Sequence, residues 1–443
     1  MNKFNQAIQE IVKAGGNPHL VGGAVRDQML MIRSKDFDVE VFGLTVEQLI
    51  EALEQVGTPN IDDGKFGVIR LNCDLPEPIE FALPRKDNNG KRGFGDVFPN
   101  LSAKEAALRR DFTFNAISRN LITGTIIDPL GGIDDLEHRI LRHCDDTFFV
   151  QDPLRAIRAF RFAGLLNASV APETVPVLKS LIPQVKELSG SAMWSEWEKW
   201  ASRSIKPSQG LKLLFNTGLI ECFPEIEALV NCPQDSEWHP EGDVFTHTCH
   251  TVDAAAGKGV VVVLAALCHD FGKPTTTMKN DEGRWISPKH ARNGEDPTRS
   301  FLARIGAPNK TIEQVVEIVK DHMVHVNLAK FNKRQARRLL VRLQNANVDD
   351  LIAVIEADNS GRPPLPGGLP EAVKGLAALC DEVKNEVKPF VLGRHLIAEG
   401  LQPGKHFGPI LKRVFEAQLD GLFSGVDEGI EWMRKNELNS RTV

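Results

Sequence analysis

Acidic side chains alternate with apolar ones near the N-terminus, and a Gly-Gly turn precedes them. Side chains of an extended strand alternate between its two faces, so Asp36, Asp38 and Glu40 are expected on one face. Crowded carboxylates repel one another, and Mg²⁺, which is bound through one or two carboxylates and substrate phosphates, neutralises them. The Gly22-Gly23 turn lets backbone N–H groups approach a triphosphate without a Cβ in the way. The combination predicts a nucleotidyl-transfer site.

Each feature alone has a simpler structural interpretation. A Gly-Gly pair before a helix is often only a turn, and two aspartates on a strand often form a solvated face. The joint occurrence of turn, helix and acidic strand favours the catalytic interpretation. A third carboxylate, Glu80, lies on the polar face of the predicted strand 79–83. From a neighbouring strand it could join Asp36 and Asp38 as a catalytic group.

The composition bounds the class of protein. A chain of 443 residues is long enough for about two to four domains. Its 42% hydrophobic and 25% charged residues are typical of globular proteins, and the longest apolar run, Val260 to Cys268, is too short to span a bilayer. Seven scattered cysteines without a C-x-x-C pair favour a reducing compartment. We therefore expect a cytoplasmic protein.

The net charge of −6 argues against a uniformly basic RNA-binding surface. Basic residues instead cluster in two places. Arg155, Arg158 and Arg161 share one helix face with no acid near them in sequence, so we expect an anionic or base partner for them. The second cluster fits either RNA binding or a solvated helix face, and it consists of Lys330, Lys333, Arg334, Arg337, Arg338 and Arg342.

Hydrophobic periodicity predicts helices and strands in the first third of the chain. Helical spacing indicates a helix over 4–12, and the segment 44–57 carries a capping box of Thr45 with Gln48. Alternation predicts strands over 66–71 and 79–83, and the polar, glycine-rich segment 87–95 reads as a mobile loop. From Asp152 onward, helix signals dominate.

These changes of pattern predict an α+β fold. A small α/β palm, or head, is expected at 1–148, and a helical neck and body at 149–235. A third, helical domain is expected at 236–365, and a helical tail at 366–443.

Further motifs follow the acidic strand. Arg109 and Arg110 can hold phosphates, while Asp111 and Asn115 offer groups suited to ribose hydroxyls. A surface salt-bridge cluster is the alternative for Arg109. The blocks 128–135 and 151–162 come next.

These blocks, in this order and spacing, resemble the class II tRNA nucleotidyltransferases, the CCA-adding enzymes. The resemblance implies an activity that adds C, C and A to tRNA from CTP and ATP. It implies that Asp36 and Asp38 bind two catalytic Mg²⁺ ions, and that the block around Asp134 acts at a hinge between head and neck. It also implies a nucleotide-binding set: Gly22, Gly23 and Arg26 at the triphosphate, and Arg109, Arg110, Asp111 and Asn115 toward the phosphates and ribose.

The same resemblance gives Asp152 and Arg155 the role of a protein template that reads the Watson–Crick edge of the incoming nucleotide. Asp152 followed by Pro153 also fits a helix N-cap and first turn. Gln151 stands where the family pattern has Glu, which keeps an acceptor and loses a charge. Both interpretations of Asp152 remain open from the sequence.

A second group of chemically competent residues lies in the helical half. Seven of the 12 histidines fall between His239 and His325, and His269-Asp270 follows an apolar helix. This segment resembles the HD phosphohydrolase domain that some bacterial CCA-adding enzymes carry. The resemblance implies a transition metal such as Ni²⁺, Co²⁺ or Mn²⁺, bound by His247, His269, Asp270 and Asp358, with His290 and Lys273 around these ligands. A folded, inactive relic is the alternative.

Three other functions compete with CCA addition. Bacterial poly(A) polymerases and enzymes that add only A share the head motifs, but the loop 87–95 and the HD-type segment favour the complete reaction. An HD phosphohydrolase with an inactive, RNA-binding head is the candidate of another class, and the intact Asp36 and Asp38 argue against it. The sequence leaves open whether the protein is a monomer or a homodimer.

Overall fold

The computed structural model describes residues 3–32, 37–61, 68–72, 79–87 and 95–438. The chain divides into two compact units, Met1–Phe223 and Pro224–Val443. The α+β class predicted from the sequence is confirmed, since the strands of the main sheet belong to the first unit and helices dominate the rest. The domain boundaries at 148, 235 and 365 stay predictions.

The division between the units precedes the predicted boundary at 235 because the segment after Phe223 is bonded to the second unit. The N–H of Val244 donates to the carbonyl of Cys232 (3.0 Å), and the N–H of Phe245 donates to the carbonyl of Leu229 (3.1 Å).

The first unit contains the main sheet. Within the described residues, seven strands form it in the order β3-β4-β5-β2-β1-β8-β9; β2 and β5 are parallel, and the other neighbours are antiparallel. The strands of this unit are β1 (Asn17–Val21), β2 (Asp38–Phe42), β3 (Asn60–Ile61), β4 (Val68–Leu71), β5 (Ile79–Ala82), β6 (Arg85–Asp87), β7 (Gly95–Val97), β8 (Ser118–Asn120), β9 (Ile126–Ile127), β10 (Ile140–Leu141) and β11 (Ser169–Val170).

Helices and two short strand pairs, β6–β7 and β10–β11, accompany this sheet in the first unit. The helices are α1 (Lys3–Lys13), α2 (Gly23–Met29), α3 (Val46–Glu54), α4 (Ala103–Leu108), α5 (Gly132–Glu137), α6 (Asp146–Phe149), α7 (Leu154–Leu166), α8 (Thr174–Ser180), α9 (Ile182–Lys186), α10 (Gly190–Arg203) and α11 (Pro207–Thr217), with 3₁₀ turns at Thr113–Asn115 and Leu219–Cys222. The predicted capping box of Thr45 and Gln48 begins α3.

Burial of one sheet face directs the acidic side chains to the other. Val39, Val41 and Phe81 are fully buried in the core of the head. Because strand side chains alternate, Asp38 on β2 and Glu80 on β5 point to the opposite face. The hydrophobic core thus positions the carboxylates.

An aromatic core fixes the orientation of α7. Phe160 packs against Trp197 and Trp200 of α10, with ring centroids 4.3 and 5.0 Å apart, and all three side chains are buried. These ring contacts fix how α7 packs against α10.

The predicted mobile loop 87–95 is flanked by structure that the sequence pattern did not indicate. Strands β6 and β7 pair antiparallel, with Asp87 opposite Gly95. Residues 88–94 lie outside the described residues.

As far as residue 438, the second unit is helical with one short hairpin, β12 (Met278–Lys279) and β13 (Trp285–Ile286). No helix in the described part of the chain combines the length and apolar character needed to cross a bilayer. The helices are α12 (Pro224–Glu227), α13 (Val244–Ala254), α14 (Val260–Cys268), α15 (Lys273–Thr276), α16 (His290–Asn293), α17 (Glu295–Arg304), α18 (Asn309–Asp321), α19 (Lys333–Arg342), α20 (Val348–Ser360), α21 (Leu376–Val383), α22 (Gly393–Ala398), α23 (Phe407–Leu419) and α24 (Val426–Met433), with 3₁₀ turns at Glu371–Val373 and Lys384–Val387 and a π-helical turn at Arg434–Leu438.

Candidate active sites in the two units

A cavity of about 510 Å³ in the first unit brings together all of the predicted nucleotide-binding residues and one of the predicted catalytic acids, Asp38. Asp36 lies outside the described residues, and Glu80 does not line the cavity. The predicted residues in the lining are Gly22, Gly23, Arg26, Asp38, Arg109, Arg110, Asp111, Asn115, Asp152, Arg155, Arg158 and Arg161.

Asp38 and Glu80 occupy paired positions on the parallel strands β2 and β5. Residues paired across neighbouring strands share a sheet face, as predicted for these two acids. The Glu80 carboxylate accepts a hydrogen bond from Nε of Arg70 at 2.8 Å. Glu80 is therefore adjacent to Asp38 and already has a cationic partner, and its catalytic role stays a prediction.

Glu40, the third acid of the strand, holds two arginines. Its buried carboxylate accepts hydrogen bonds from Arg109 at 2.8 Å and Arg110 at 3.3 Å. Burial opposes ionisation, but the guanidinium groups of Arg110 and Arg109 keep the pKa of Glu40 below its usual value. The sequence analysis assigned no such role to Glu40, although its place on the face of Asp38 was the available signal.

The Gly22 turn passes close to both the acid and a cation. Gly22 has φ +69°, a left-handed conformation that favours glycine, and it precedes α2. A Cβ built at Gly22 would lie 3.7 Å from Oδ2 of Asp38 and 3.4 Å from Nη1 of Arg110. The turn thus brings backbone N–H groups beside the acidic strand.

Arg26, on the helix that follows the turn, is buried and tied to neighbouring side chains. Its Nη1 donates to Oδ1 of Asn115 at 2.7 Å, and its Nε donates to Oδ1 of Asp27 at 2.8 Å. These bonds orient Arg26 at the edge of the cavity that it lines.

Asp111 connects the head to α7. Its carboxylate accepts hydrogen bonds from Nδ2 of Asn115 (2.9 Å) and Nε of Arg158 (2.7 Å). Although burial works against ionisation, Arg158 and Asn115 lower the pKa of Asp111 to about 2. The group is a permanent anion that fixes an arginine and an amide in the cavity wall.

Two of the three α7 arginines have acidic partners within the protein, which the sequence analysis did not identify. Arg158 pairs with Asp111, and Nε of Arg161 lies 2.5 Å from Oε2 of the buried Glu196. Both acids are far away in sequence, so a local inspection of the helix could not find them. The three arginines still line the cavity.

Arg155 and Asp152 are fixed by the backbone. The guanidinium of Arg155 donates to the carbonyls of Phe148 and Arg109, each at 2.6 Å. The Asp152 carboxylate accepts from the N–H of Leu154 at 3.0 Å, which supports the first turn of α7. Asp152 also lines the cavity, so its capping position and a contact with a ligand are compatible.

Two further cations of the cavity wall come from α10 and were missed by the sequence analysis. Lys199 and Arg203 line the cavity, and the Lys199 side chain is 41% exposed. Their spacing of one helical turn on α10 was the available signal.

Four histidines in the second unit present facing nitrogen atoms. Nε2 of His247 lies 3.2 Å from Nε2 of His269, and Nε2 of His290 lies 3.3 Å from Nε2 of His322. In each ring Nδ1 contacts a backbone carbonyl, at distances of 2.7 to 3.1 Å. A carbonyl only accepts, so Nδ1 carries a hydrogen in each ring and Nε2 is the nitrogen left to bind a metal once it is deprotonated. Such an arrangement suits a metal cation.

Carboxylates complete three potential metal-binding groups among the described residues, and two of these contain a facing pair of histidines. Asp358 joins His247 and His269, and Asp270 joins His290 and His322; in each group the ligand atoms lie within 4.8 Å of one another. The sequence analysis placed Asp270 with the first group and His290 outside the ligands. Its assignment of the ligands stays a prediction.

Asp270 is a buried acid of this site. Within the described residues, neither oxygen of this buried carboxylate accepts a well-aligned hydrogen bond, although the ammonium group of Lys273 is 2.7 Å from Oδ2. Burial alone would favour the neutral acid, but His269 and Lys273 hold the pKa of Asp270 well below its usual range. An ionised carboxylate with unused lone pairs among imidazoles is a suitable metal ligand.

Glu241 supports His247 from behind. Its buried Oε1 lies 2.8 Å from Nδ1 of His247 and 2.9 Å from Nδ1 of His239. Burial lowers the pKa of His247, but hydrogen bonds to Asp358 and Glu241 raise it to about 9. A metal would therefore displace a proton from this ring. The sequence analysis did not identify Glu241.

The second basic cluster of the sequence serves packing within the second unit. Arg334 and Arg338 of α19 pair with Asp420, and Arg337 pairs with Glu386. Arg342 pairs with Asp321. These cations are occupied by acids from distant segments, which does not support the proposal of an RNA-binding surface at α19.

Known proteins match this chain in sequence. The family model of the poly A polymerase head domain matches residues 18–142. The Multifunctional CCA protein of Vibrio vulnificus (strain CMCP6) is 34% identical over 361 residues, which cover 78% of this chain and 85% of the relative. That of Xanthomonas campestris pv. campestris (strain B100) is 34% identical over 364 residues, with the same coverage.

Solved structures match the fold over nearly the whole chain. The CCA-adding enzyme of Bacillus stearothermophilus in complex with CTP has a TM-score of 0.70 at 21% identity, covering 100% of this chain and 99% of that one. The Thermotoga maritima CCA-adding enzyme complexed with tRNA has a TM-score of 0.58 at 20% identity, covering 98% and 94%. The solved structures show a shared fold, and the sequence relatives show that the chain belongs to the family of CCA-adding enzymes.

Proposed function

We propose that the protein adds C, C and A to tRNA 3′ ends from CTP and ATP, without a nucleic-acid template. The observation that carries the proposal is the cavity of the first unit, where Asp38, the Gly22 turn and several fixed arginines line one space. Relatives that are 34% identical bear the name Multifunctional CCA protein.

The acidic strand would bind the metal ions, and the glycine turn would contact the triphosphate. Asp36 and Asp38 would hold Mg²⁺, for which carboxylate oxygens are suitable ligands, with Glu80 beside them. When bound, Mg²⁺ promotes attack by the primer 3′ hydroxyl and stabilises the leaving pyrophosphate. The Gly22 turn and Arg26 would contact the triphosphate, while Arg109 and Arg110, fixed by Glu40, supply positive charge near it.

The side chains of the neck would select and orient the nucleotide. Asp111 and Asn115 are preorganised for ribose hydroxyls by their mutual hydrogen bond of 2.9 Å. Arg155, with two backbone acceptors that fix its guanidinium, would read the base edge together with Asp152. Lys199 and Arg203 would bind phosphates of the tRNA primer on the α10 side of the same cavity.

Incubation with tRNA that lacks CCA, and with each labelled nucleotide in turn, tests this proposal. Incorporation of two C and then one A supports it. Incorporation of A alone onto tRNA ending in CC would identify an enzyme that adds only A, and long A tracts on any RNA would identify a poly(A) polymerase. Failure to incorporate CTP contradicts the proposal.

We also propose a metal-dependent phosphohydrolase activity in the second unit. The facing imidazoles around Asp270 and Asp358 are the observation that favours it. Imidazole and carboxylate ligands suit Ni²⁺, Co²⁺ or Mn²⁺, and such a metal polarises a phosphate ester and lowers the pKa of bound water. Lys273 and His290 line the neighbouring cavity of about 510 Å³, where they would face the phosphate.

Hydrolysis of 2′,3′-cyclic AMP with each metal supplied singly tests this second activity. Turnover that requires one of the three transition metals supports it. If no divalent metal gives turnover, the histidine cluster is a folded relic.

A further inference from the structure

The cavity of the second unit has a polar floor and an aromatic mouth. Four members of the potential metal-binding groups line this cavity: Asp270, His290, His322 and Asp358. The same cavity is lined by apolar side chains that are partly exposed: Trp238 (56%), Trp285 (36%), Ile286 (39%) and Val326 (43%). Two solvent-exposed tryptophans beside a phosphate-type site require a reason, because exposing such large apolar rings to water is unfavourable.

The structure holds the two tryptophan segments together. Trp285 belongs to the β12–β13 hairpin, and Trp238 lies in the turn that follows Asp235. Arg284 of the hairpin forms a bidentate pair with Asp235, with Nε–Oδ2 at 2.7 Å and Nη2–Oδ1 at 2.8 Å. The exposed rings are therefore displayed from two segments that an ion pair joins, and not from an isolated loop.

Neighbouring groups further define the mouth of the cavity. Lys279 places Nζ 5.0 Å from the Trp285 ring centroid, a cation–π contact that orients this ring. Gln234 accepts a hydrogen bond of 2.7 Å from Lys273, which ties the turn before Trp238 to the floor. Lys273 and Arg362 supply positive charge in the lining. A ligand with an anionic end and a flat aromatic end matches this distribution.

We infer that Trp238 and Trp285 stack on the base of a nucleoside phosphoester whose phosphate lies at the histidine cluster. This inference rests on the proposed hydrolase function and names its specificity-determining residues. In the reaction, the water oxygen joins phosphorus, one P–O ester bond breaks, and the ribose oxygen leaves with a proton. Stacking on exposed aromatic rings tolerates every base, since each has a π face. The site would therefore select nucleosides without strong preference among bases.

A pair of substrates that differ only in the base-bearing part tests the inference. Adenosine 2′,3′-cyclic phosphate and glycerol 1,2-cyclic phosphate present the same five-membered cyclic diester, and the second lacks a base. With Ni²⁺, Co²⁺ or Mn²⁺ added singly, the wild type should give a higher kcat/KM for the nucleotide. Trp238→Ala and Trp285→Ala should each lower the ratio of the two kcat/KM values about tenfold, the loss expected for one stacked base.

Matched variants separate stacking from folding. Trp238→Phe and Trp285→Phe keep an aromatic face and should retain most of the ratio. Met278→Ala changes a 53% exposed apolar side chain of the same hairpin that does not line the cavity, and it should leave the ratio unchanged. Quenching of tryptophan fluorescence by 2′-AMP, measured after chelator treatment, should weaken in the two Ala variants and provides a readout that does not require turnover.

The outcomes distinguish the inference from the function on which it rests. If the wild type hydrolyses neither cyclic diester with any metal, the hydrolase proposal fails. If it hydrolyses both with equal kcat/KM, or if the Ala variants leave the ratio unchanged, the hydrolase proposal stands and the stacking inference is overturned. An RNA ending in a 2′,3′-cyclic phosphate, assayed alongside, tells whether the base belongs to a free nucleotide or to an RNA terminus; dependence on the tryptophans in either substrate supports the inference.

Discussion

Buried carboxylates orient the functional groups of both units. Glu40 holds Arg109 and Arg110, Asp111 holds Arg158, and Glu241 holds His247. An ionised acid that is removed from water gains strength as a hydrogen-bond acceptor and fixes its partner in one orientation. The side chains proposed to meet substrate thus depend on buried acids, of which Asp111 alone is itself proposed to touch the nucleotide.

Substitution of Arg155 tests whether this side chain selects the incoming nucleotide. Since two carbonyls fix its guanidinium, Arg155→Ala should remove a bidentate contact with the base edge, which is worth about 1–3 kcal/mol. Discrimination of CTP and ATP against GTP and UTP should fall about 10- to 100-fold, as measured by kcat/KM for each nucleotide. Arg155→Lys keeps the charge without the planar fork and should lose selectivity as well. A uniform slowdown with intact selectivity would identify Arg155 as a phosphate-binding or structural group.

Substitution of Glu241 tests whether its carboxylate strengthens metal binding through His247. Loss of a hydrogen-bonded carboxylate behind a ligating histidine typically weakens metal binding about 10- to 100-fold. Glu241→Gln should therefore weaken binding of Ni²⁺ in a calorimetric titration, with the circular dichroism spectrum unchanged. Glu282→Gln, at an exposed turn of the same unit, is the control and should bind like the wild type. Equal affinities in the two variants would argue against the role of Glu241.

Residue types alone predicted part of this network. The position of Asp38 beside Glu80 and the gathering of Arg110, Asp111 and Asn115 around one cavity agree with the sequence analysis. Glu40 and Glu241 were not assigned these roles, because the partner of each lies on another element and only the fold brings the two together.

Helices display cations in two ways in this molecule. On α10, Lys199 and Arg203 line the nucleotide cavity, whereas on α19 Arg334 and Arg338 pair with Asp420. Charges that acids already neutralise release few counterions when RNA binds.

The salt dependence of tRNA affinity should change in a variant of α10 and stay the same in a variant of α19. The double change Lys199→Ala and Arg203→Ala should lower the slope of log K against log salt concentration by about 2, because each phosphate contact contributes about 1. The double change Arg334→Ala and Arg338→Ala should leave the slope unchanged. Filter binding of labelled tRNA across a salt series measures both. A reduced slope in the α19 variant alone would place the RNA surface there instead.

The sequence predicted those elements whose stabilising contacts join residues close together in the chain. The capping box of Thr45 and Gln48 began α3 as expected, since its bonds join residues three apart. The β6–β7 pair was missed because its short strands flank a glycine-rich segment that reads as a loop. The basic face of α19 was ambiguous because its partner acids come from α23 and from distant turns.

At the scale of the whole molecule, two candidate chemistries occupy separate compact units. The carboxylates proposed for nucleotidyl transfer lie before residue 224, and the histidine groups lie after it. The change from alternating to helical patterns predicted an α/β head with a helical remainder, but the division of the helical part depends on long-range contacts. Backbone bonds such as Val244 to Cys232 assign the segment after Phe223 to the second unit.

Separate sites predict separable activities. His269→Ala removes an imidazole from the facing pair and should abolish hydrolysis of 2′,3′-cyclic AMP in the presence of a transition metal. Nucleotide addition to tRNA in Mg²⁺ should remain within about twofold of the wild type, because this chemistry uses carboxylate oxygens in the other unit. His406→Ala, outside both cavities, is the control. Loss of both activities in His269→Ala would contradict the separation.

The most direct test of the account is nucleotide addition by Asp38→Asn. This change keeps the shape of a side chain beside the Gly22 turn and removes the charge proposed to hold Mg²⁺. Purified wild type and variant are incubated with tRNA lacking CCA, CTP, ATP and Mg²⁺, and the 3′ ends are sequenced over time. We predict CCA addition by the wild type and a rate lower by about three or more decades in the variant, with an unchanged circular dichroism spectrum. Addition by Asp38→Asn at nearly the wild-type rate would contradict the assignment of the active site.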